Sequence, residues 1–251
     1  MPGVFLFTDF GIQGPYLGLM EAAAEAVCPQ IRVSNLMCDA PSRDPRRSAY
    51  LLAALSDWLP ADAVVVAVVD PGVGSERGML GLKSQGRWYL GPDNGLLARV
   101  CAADPEASLW ELHPEPDTNP SASFHGRDVF APAAALLACG RSPVLQPLDR
   151  SRMIGKDWPE ILSEVIYIDG FGNAMTGIPA AGVSASQTLE AGGRSLPRVR
   201  TFSDVPPGDL LCYENSLGLL EIALNSGNAA DVLGLAIGSP VLLSDSPSRH
   251  P

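Results

Sequence analysis

Residues 63–69 are Ala-Val-Val-Val-Ala-Val-Val, and Asp70-Pro71-Gly72-Val73-Gly74 follows them directly. The run is apolar at every position and rich in β-branched residues, which is typical of a central strand buried on both faces of a parallel sheet. Ligands bind beyond the carboxyl ends of such strands. This stretch therefore predicts an α/β fold with a functional edge at Asp70.

The segments around this strand repeat the order of strand, polar loop and helix. Further strands are predicted at residues 4–7, 31–36 and 88–91, and helices at residues 16–27, 46–58 and 129–139. This alternation is characteristic of a mostly parallel sheet covered by helices. We therefore expect an N-terminal α/β domain in residues 1–150.

The composition changes after residue 140. Residues 141–159 contain three prolines and several charges, which predicts a linker. Short strands are then predicted at residues 164–169, 187–190, 209–213 and 240–243, separated by glycines and prolines. A smaller antiparallel β-domain in residues 160–251 is the expected result.

Charge and hydropathy exclude two classes of partner. The 251 residues carry a net charge of −11 without a basic cluster, so nucleic-acid binding is not expected. The longest apolar run is too short to span a bilayer, so no membrane association is expected. The N-terminal residues lack the basic flank and cleavage site of a signal peptide, and a cytoplasmic protein is predicted.

The five cysteines are scattered and never spaced as Cys-x-x-Cys. This pattern argues against structural zinc and against a disulfide framework. We therefore predict reduced thiols in the core and no metal site.

Two polar residues follow predicted strands at the same edge as Asp70. Asp9, before Gly11 and Gly14, has a carboxylate that can accept both hydrogen bonds of a ribose diol, although a turn or helix-capping role is the alternative. Asn94 follows the strand at residues 88–91 and is a second candidate for substrate binding.

Three residues are candidates for catalysis. Arg77 lies seven positions after Asp70, so it can fold back across the Pro-Gly-x-Gly turn and pair with that carboxylate. The alternative is a structural ion pair that braces the loop. His125 lies in the polar segment Phe124-His-Gly-Arg-Asp128. Considered alone, this histidine is better explained by a capping or core role. If it lies near Asp70 and Arg77, a catalytic role is the better explanation.

Two segments of the C-terminal part combine an aromatic with amide and hydroxyl groups. They are Asp169-Gly-Phe171-Gly-Asn173 and Tyr213-Glu-Asn215-Ser216-Leu-Gly218. Such groups can stack on a flat base and bind its edges. Tight turns of the β-domain are the alternative interpretation.

Taken together, these motifs resemble the S-adenosylmethionine hydroxide adenosyltransferase family, whose relatives include the fluorinase and chlorinase enzymes. The resemblance covers nearly the whole chain. The motifs that carry it are Thr8-Asp-Phe-Gly11, Val68-Val-Asp-Pro-Gly-Val-Gly-Ser75 with Arg77, Pro92-Asp-Asn-Gly-Leu-Leu97, Phe124-His-Gly-Arg-Asp-Val-Phe-Ala-Pro132, Asp169-x-Phe-Gly-Asn173 and Asn215-Ser-x-Gly218.

The resemblance implies an architecture and a set of site residues. It implies a C-terminal β-barrel, a homotrimer, and active sites between the N-terminal domain of one subunit and the C-terminal domain of its neighbour. Asp9 would bind the ribose diol, and Asp70, Arg77 and His125 match the water-positioning triad of the family. The residues that would come from the neighbour to bind methionine and adenine are Asp169, Phe171, Asn173, Asn215 and Ser216.

The implied activity is hydrolysis of S-adenosylmethionine (SAM) to adenosine and L-methionine. Water would attack ribose C5′ in line with the departing sulfonium, and because this leaving group already bears a positive charge, no metal or other cofactor is expected. Asp70 is the candidate for orienting and deprotonating the water, with Arg77 and His125 fixing its position. Whether Asp70 or His125 takes the proton stays open.

Two other functions compete with hydrolysis. Relatives that use halide have a Tyr in place of Asp70, a small hydroxyl residue in place of Val73 and a Tyr-Ser pair in place of His125-Gly126, and these differences argue against a halogenase. A sensor that binds adenosine or SAM without turnover has no use for the three candidate catalytic residues. Cys38 stands where the family usually has a His, which affects the expected loop structure more than the expected activity.

Overall fold

The computed structural model of the chain describes residues 2–184 and 187–245. Contacts within the chain define two units, Met1–Trp158 and Pro159–Pro251. None of the helices in the described ranges combines the length and the apolar character needed to span a bilayer.

The first unit is built on one seven-stranded sheet with the order β2-β1-β3-β5-β4-β6-β7. Its strands are β1 (Val4–Thr8), β2 (Val33–Met37), β3 (Val64–Val68), β4 (Met79–Ser84), β5 (Arg87–Pro92), β6 (Ser108–Leu112) and β7 (Leu145–Leu148). All five residues of β3 are buried, as the apolar run predicts. Strands β2, β1, β3 and β5 are parallel, whereas β4, β6 and β7 are added antiparallel. The sheet is therefore mixed rather than mostly parallel.

Residues 141–158 of the segment predicted as a linker belong to the first unit. Its strand β7 pairs antiparallel with β6, and Pro147 lies in this edge strand, where a missing N–H is tolerated. The guanidinium of Arg150 then donates to the carbonyl oxygens of Cys101 and Pro105, both at 2.7 Å. The linker prediction is thus wrong, because the proline and the charge that indicated a linker are used in packing and hydrogen bonding.

Among the described residues of the first unit, four α-helices and one π-helical turn cover the sheet. They are α1 (Tyr16–Val27), α2 (Pro45–Ser56), α3 (Ala98–Ala102), the π-helix Gly126–Phe130 and α4 (Ala131–Ala138), which continues from it. Helix α2 begins where Asp44 accepts a hydrogen bond from the Arg47 N–H (3.0 Å), with Pro45 at the first helical position. Helices α1 and α4 pack together over β1 and β3 through Met20, Ala24 and Ala134.

The packing of α1 against α4 corrects the prediction that the cysteines are reduced. Cys28 caps the C-terminus of α1, Cys139 caps that of α4, and the two form a disulfide across 111 residues of sequence. The bond cannot be predicted from the spacing of the two cysteines in the sequence, because only the packing of the two helices brings their ends together. Cys38, Cys101 and Cys212 are free thiols.

The second unit contains two antiparallel sheets, with strand orders β12-β13-β9-β8 and β11-β10-β14. Its elements are β8 (Leu162–Ile168), β9 (Ala174–Pro179), β10 (Gln187–Ala191), β11 (Arg194–Leu196), β12 (Leu210–Glu214), β13 (Leu219–Leu224), α5 (Ala229–Leu233) and β14 (Leu242–Asp245). Val165, Ile178, Leu189, Ile222 and Val241 lie in its core. The antiparallel β-structure is confirmed, in the form of two sheets within the described residues.

Candidate active site

A cavity of about 510 Å³ lies at the carboxyl ends of β1 and β3. Asp9 directly follows β1, and Asp70 comes two residues after the end of β3. This is the edge at which α/β sheets bind ligands. The described residues that line the cavity are Asp9, Phe10, Tyr16, Arg43, Val68, Asp70, Pro71, Val73, Ser123, Phe124, His125 and Gly126.

Asp70 and Arg77 form a buried ion pair beside the cavity. Their side chains are 4% and 8% exposed. The Arg77 Nε donates to both carboxylate oxygens of Asp70, at 3.1 and 3.0 Å, and its Nη2 also donates to Oδ2. Two donors on one carboxylate fix its orientation, since the planar guanidinium permits little rotation.

The turn after β3 brings Arg77 back to Asp70. The Ser75 hydroxyl donates to the Gly72 carbonyl at 2.7 Å and closes the turn. Gly74 has φ +82°, and a β-carbon there would lie 2.5 Å from the Ala122 carbonyl oxygen. Glycine is therefore required at position 74 both for backbone conformation and for close approach.

His125 is the third member of the cluster, since its Nδ1 lies 3.0 Å from the Arg77 Nη2. A guanidinium only donates, so Nδ1 is the acceptor and the proton of the neutral ring is on Nε2. Burial lowers the pKa of His125, and the charge of Arg77 lowers it further, against the opposing effects of Asp70 and Asp128. The ring is thus held neutral in one tautomer.

The structure brings Asp70, Arg77 and His125 together, as the family resemblance implies, but with unequal access to the cavity. Asp70 and His125 are among the described residues that line it, and Arg77 is not. Arg77 hydrogen-bonds the two side chains that line the cavity and does not line it itself among the described residues. We describe it as a positioning residue.

The π-helix places His125 at the cavity. His125 precedes the π-helix as its N-cap residue, and such turns occur often at functional sites. Asp128 accepts from the Arg127 Nη2 (2.9 Å) and from the Ser121 N–H (2.8 Å). The remainder of this polar segment thus braces the loop that carries His125.

Asp9 lies at the cavity with one oxygen already oriented. Its Oδ2 accepts from the backbone N–H of Arg43 at 2.9 Å. Arg43, which the sequence analysis does not single out, has a left-handed φ of 56° and lines the same cavity. Both oxygens of Asp9 retain lone pairs for a diol.

Asn94 hydrogen-bonds backbone groups near the end of β3. Its Nδ2 donates to the Val69 carbonyl (2.9 Å), and its Oδ1 accepts from the Leu96 N–H (3.2 Å). It is not among the described residues that line the cavity. Asn94 holds the end of the central strand, and a contact with substrate stays a prediction.

Cys38 contributes to the first unit through its backbone. Its carbonyl accepts from the Gly11 N–H at 2.6 Å, and its side chain is half-buried. Any residue can make this backbone hydrogen bond, so the replacement of the usual His leaves it intact.

The second unit has its own cavity, of about 850 Å³. All five C-terminal residues predicted to bind substrate line it, and Phe171 among them is 81% exposed. The described residues around it are Asp169, Phe171, Asn173, Met175, Phe202, Tyr213, Asn215, Ser216, Glu221, Leu224, Ser226, Gly227 and Asn228.

Asp169 closes a tight turn at this cavity. Its Oδ1 accepts from the N–H groups of Phe171 (2.8 Å) and Asn173 (2.9 Å), and its Oδ2 accepts from the Asn173 Nδ2 (3.0 Å). Gly172 has φ +84°, and a β-carbon there would lie 2.1 Å from the Asn228 side chain. The segment is both a turn and a cavity wall.

Asn215 connects a second turn to a buried acid. Its Oδ1 accepts from the N–H groups of Leu217 (2.9 Å) and Leu219 (3.0 Å), and its Nδ2 donates to the Glu221 Oε2 at 2.8 Å. Glu221, which is 2% exposed, is not among the residues predicted from the sequence. A single acid inside the apolar strand Leu219–Leu224 is the signal that would find it.

Comparison with known proteins shows the family of the chain. The model of the SAM hydroxide adenosyltransferase N-terminal domain matches residues 4–145, and that of the C-terminal domain matches residues 163–242. A Thermus thermophilus protein named (R)-S-adenosyl-L-methionine hydrolase is 41% identical, over 97% of this chain and 100% of that protein. A protein of the same name from Salinispora arenicola is 36% identical, over 94% and 95%.

Solved structures show the same fold. A crystal structure of a conserved hypothetical protein from Thermus thermophilus has a TM-score of 0.79 at 38% identity, covering 97% of this chain and 100% of that chain. An uncharacterized conserved protein from Thermotoga maritima has a TM-score of 0.85 at 28% identity, covering 96% and 100%. The chain therefore belongs to the SAM hydroxide adenosyltransferase family.

Proposed function

We propose that this protein hydrolyses SAM to adenosine and L-methionine. The observation that carries the proposal is the cavity in which Asp70 and His125, both held by Arg77, lie with Asp9. The relatives named (R)-S-adenosyl-L-methionine hydrolase support it, at 35–41% identity over most of the chain.

The chemistry of SAM determines which groups the active site needs for hydrolysis. The sulfonium of SAM is a good leaving group on ribose C5′, so in-line attack by an oxygen nucleophile needs no metal or other cofactor. Hydroxide is scarce at neutral pH, so the site has to orient a water molecule and accept its proton. Positioning and general-base assistance supply the acceleration, the second about 10²–10⁴-fold.

The hydrogen bonds favour Asp70 as the proton acceptor. The Nδ1 of His125 already accepts from Arg77, and Nε2 carries the ring proton, so the neutral imidazole can donate to the water but has no free acceptor nitrogen. The Asp70 carboxylate keeps lone pairs beside those used by Arg77. Water thus donates to Asp70 and is oriented by His125, and its oxygen attacks C5′.

The test is a product analysis of the purified protein with SAM in buffers that contain sodium chloride or sodium fluoride. We expect adenosine and methionine in equal amounts and no halogenated nucleoside, because a carboxylate at position 70 repels halide. A 5′-halogenated nucleoside would identify a halogenase, and no adenosine above the blank would identify a binding protein without turnover.

We further propose that the active site is shared between subunits of a homotrimer. The first cavity contains the ribose and water residues, and the second, with the exposed Phe171, contains the residues expected to bind methionine and adenine. A monomeric variant should then be inactive while each of its cavities stays intact.

The cytoplasm remains the location that we propose from the sequence.

The closed barrel implied for the second unit is part of the same proposal. Isolated bridges connect Glu164 with Pro240 and Arg198 with Cys212. Glu164 lies in β8 and Cys212 lies in β12, which are the two edge strands of the four-stranded sheet. Their partners lie next to β14 and β11, which are the two edge strands of the three-stranded sheet. These bridges support closure at both sides.

Asp9→Asn tests the ribose assignment. The amide oxygen can still accept from the Arg43 N–H, but Asn lacks the second anionic acceptor for the diol, so we expect adenosine affinity and KM to weaken by about 10-fold or more. Turnover at saturating SAM should change less. Isothermal titration with adenosine measures the effect, and the exposed Asp62→Asn is the matched control. Unchanged affinity in Asp9→Asn would contradict the assignment.

The pH profile tests the tautomer of His125. Protonation of Nδ1 would replace the acceptor of Arg77 by a second positive charge, so the protonated form should be inactive. Because burial and Arg77 lower the pKa of His125, the acid limb that it contributes to kcat/KM should lie below pH 6.5. A limb above pH 6.5 that is absent from His125→Gln would contradict this account.

A further inference from the structure

Three aromatic rings form one wall of the cavity in the first unit. Phe10, Tyr16 and Phe124 line this cavity together with Asp70 and His125. Their ring centroids lie 5.7 Å (Phe10–Tyr16), 5.9 Å (Phe10–Phe124) and 5.5 Å (Tyr16–Phe124) apart, so each ring contacts the other two. We call these three residues the aromatic wall. The hydrolysis proposed above assigns no role to any of them.

Tyr16 is the member of the aromatic wall with the most open ring. Phe10 and Phe124 pack against the hydrophobic core of the first unit. The guanidinium carbon of Arg127 lies 5.2 Å from the centroid of the Phe124 ring, so this ring already contacts a cation. Tyr16, the first residue of α1, is 50% exposed. Its ring is therefore held by the two phenylalanines and keeps surface for a ligand in the cavity.

The proposed reaction brings into this cavity a cation that cannot donate a hydrogen bond. The sulfonium of SAM is bonded to C5′, so it lies close to the water that Asp70 and His125 orient. Its sulfur carries three carbon substituents and no hydrogen. The carboxylates of the cavity have other partners in the proposed function, since Asp9 binds the ribose diol and Asp70 binds the water. The negative face of an aromatic ring attracts such a cation without a hydrogen bond, as aromatic cages attract quaternary ammonium groups.

We propose that Tyr16 determines specificity, because its ring binds the sulfonium of SAM and so distinguishes SAM from uncharged thioethers. This inference rests on the proposed function. The sulfur loses its positive charge as the bond to C5′ breaks, so the ring attracts the bound substrate more strongly than the transition state. An interaction of this kind lowers KM without raising kcat. Tyr16 therefore selects the substrate, whereas Asp70 and His125 act in the chemical step.

The experiment measures by calorimetry the binding of three ligands, which are SAM, the thioether that remains when SAM loses its methyl group, and adenosine. The Asp70→Asn variant serves as the parent protein, so that SAM stays intact during the titration. Tyr16→Leu should weaken the binding of SAM by about 3- to 30-fold more than that of the thioether or adenosine, the range of cation–π interactions. Tyr16→Phe, which keeps the ring, should keep the preference for SAM.

The matched control is Trp58→Leu, which replaces an exposed aromatic residue that is not among the described residues lining the cavity, and it should bind all three ligands as its parent does. With Asp70 intact, Tyr16→Leu should raise the KM for SAM with a much smaller change in kcat. Equal losses for SAM and the thioether would show apolar packing, or stacking on adenine if adenosine binding weakens too, and would overturn the proposal, as would no loss at all. If wild type produces no adenosine, the proposed function fails by itself, and the three titrations still decide the role of Tyr16.

Discussion

Asp70→Asn is expected to reduce kcat for SAM hydrolysis by about 10²–10⁴-fold, the contribution typical of a general base. Asparagine has the shape of aspartate, and its amide oxygen can still accept from Arg77, but it cannot take a proton from water. Adenosine affinity should stay close to wild type, because Asp9 and the rest of the cavity are unchanged. Initial rates of adenosine formation and calorimetry with adenosine measure the two effects.

The control distinguishes catalysis from loop bracing. Replacing Asp70 removes one partner of a buried ion pair, and such changes are destabilising when the other charge is left unpaired. The thermal unfolding of Asp70→Asn is therefore measured beside that of Asp62→Asn. A parallel loss of activity, adenosine binding and stability would contradict the catalytic role and leave a structural ion pair.

Loss of the disulfide is expected to have the largest effect on stability. Cys28 and Cys139 are 111 residues apart, and chain entropy assigns about 4–5 kcal/mol to a closed loop of about that size. For a chain of this length, the change corresponds to a decrease in Tm of about 10 °C or more. The effect should concentrate in the first unit, because the bond joins the ends of α1 and α4.

Differential scanning calorimetry of the Cys28→Ser/Cys139→Ser variant, with and without reductant, measures this effect. Reductant should lower the Tm of wild type to that of the variant and leave the variant unchanged. Cys38→Ser removes a free thiol and should keep the response of wild type to reductant. Five reactive thiols in the denatured, unreduced protein would contradict the bond; we expect three.

Helices and strands with a single clear hydrophobic pattern can be predicted from their own residues. The prediction of a helix at residues 16–27 matches α1, and the apolar run at residues 63–69 contains all of β3. Both depend only on side chains within one segment. Strand β4 is not predicted from the sequence, because Gly81 interrupts its apolar pattern. A β-carbon at position 81 would lie 3.1 Å from the side chain of Leu145, which comes from the distant strand β7.

The same distinction holds for the candidate site. Of the three residues Asp70, Arg77 and His125, only Asp70 follows the end of a parallel strand, so the strand pattern places that residue at the edge of the sheet. The convergence of all three is an implication of the family resemblance. The disulfide between Cys28 and Cys139 arises from a contact between two helices, for which a single sequence has no local signal. Glu221 does have a local signal, because it is the single acid of the apolar strand β13. Asn94 lies at the predicted edge of the sheet, but both of its side-chain hydrogen bonds are made with backbone groups. A polar residue at this edge is therefore not by itself a sign of ligand binding.

Hydrolysis of SAM in water enriched in oxygen-18 tests the central claim most directly. If Asp70 and His125 direct water at ribose C5′, mass spectrometry should find one heavy oxygen in the adenosine and none in the methionine. Unlabelled adenosine, or heavy oxygen in the methionine, would contradict attack of water at C5′.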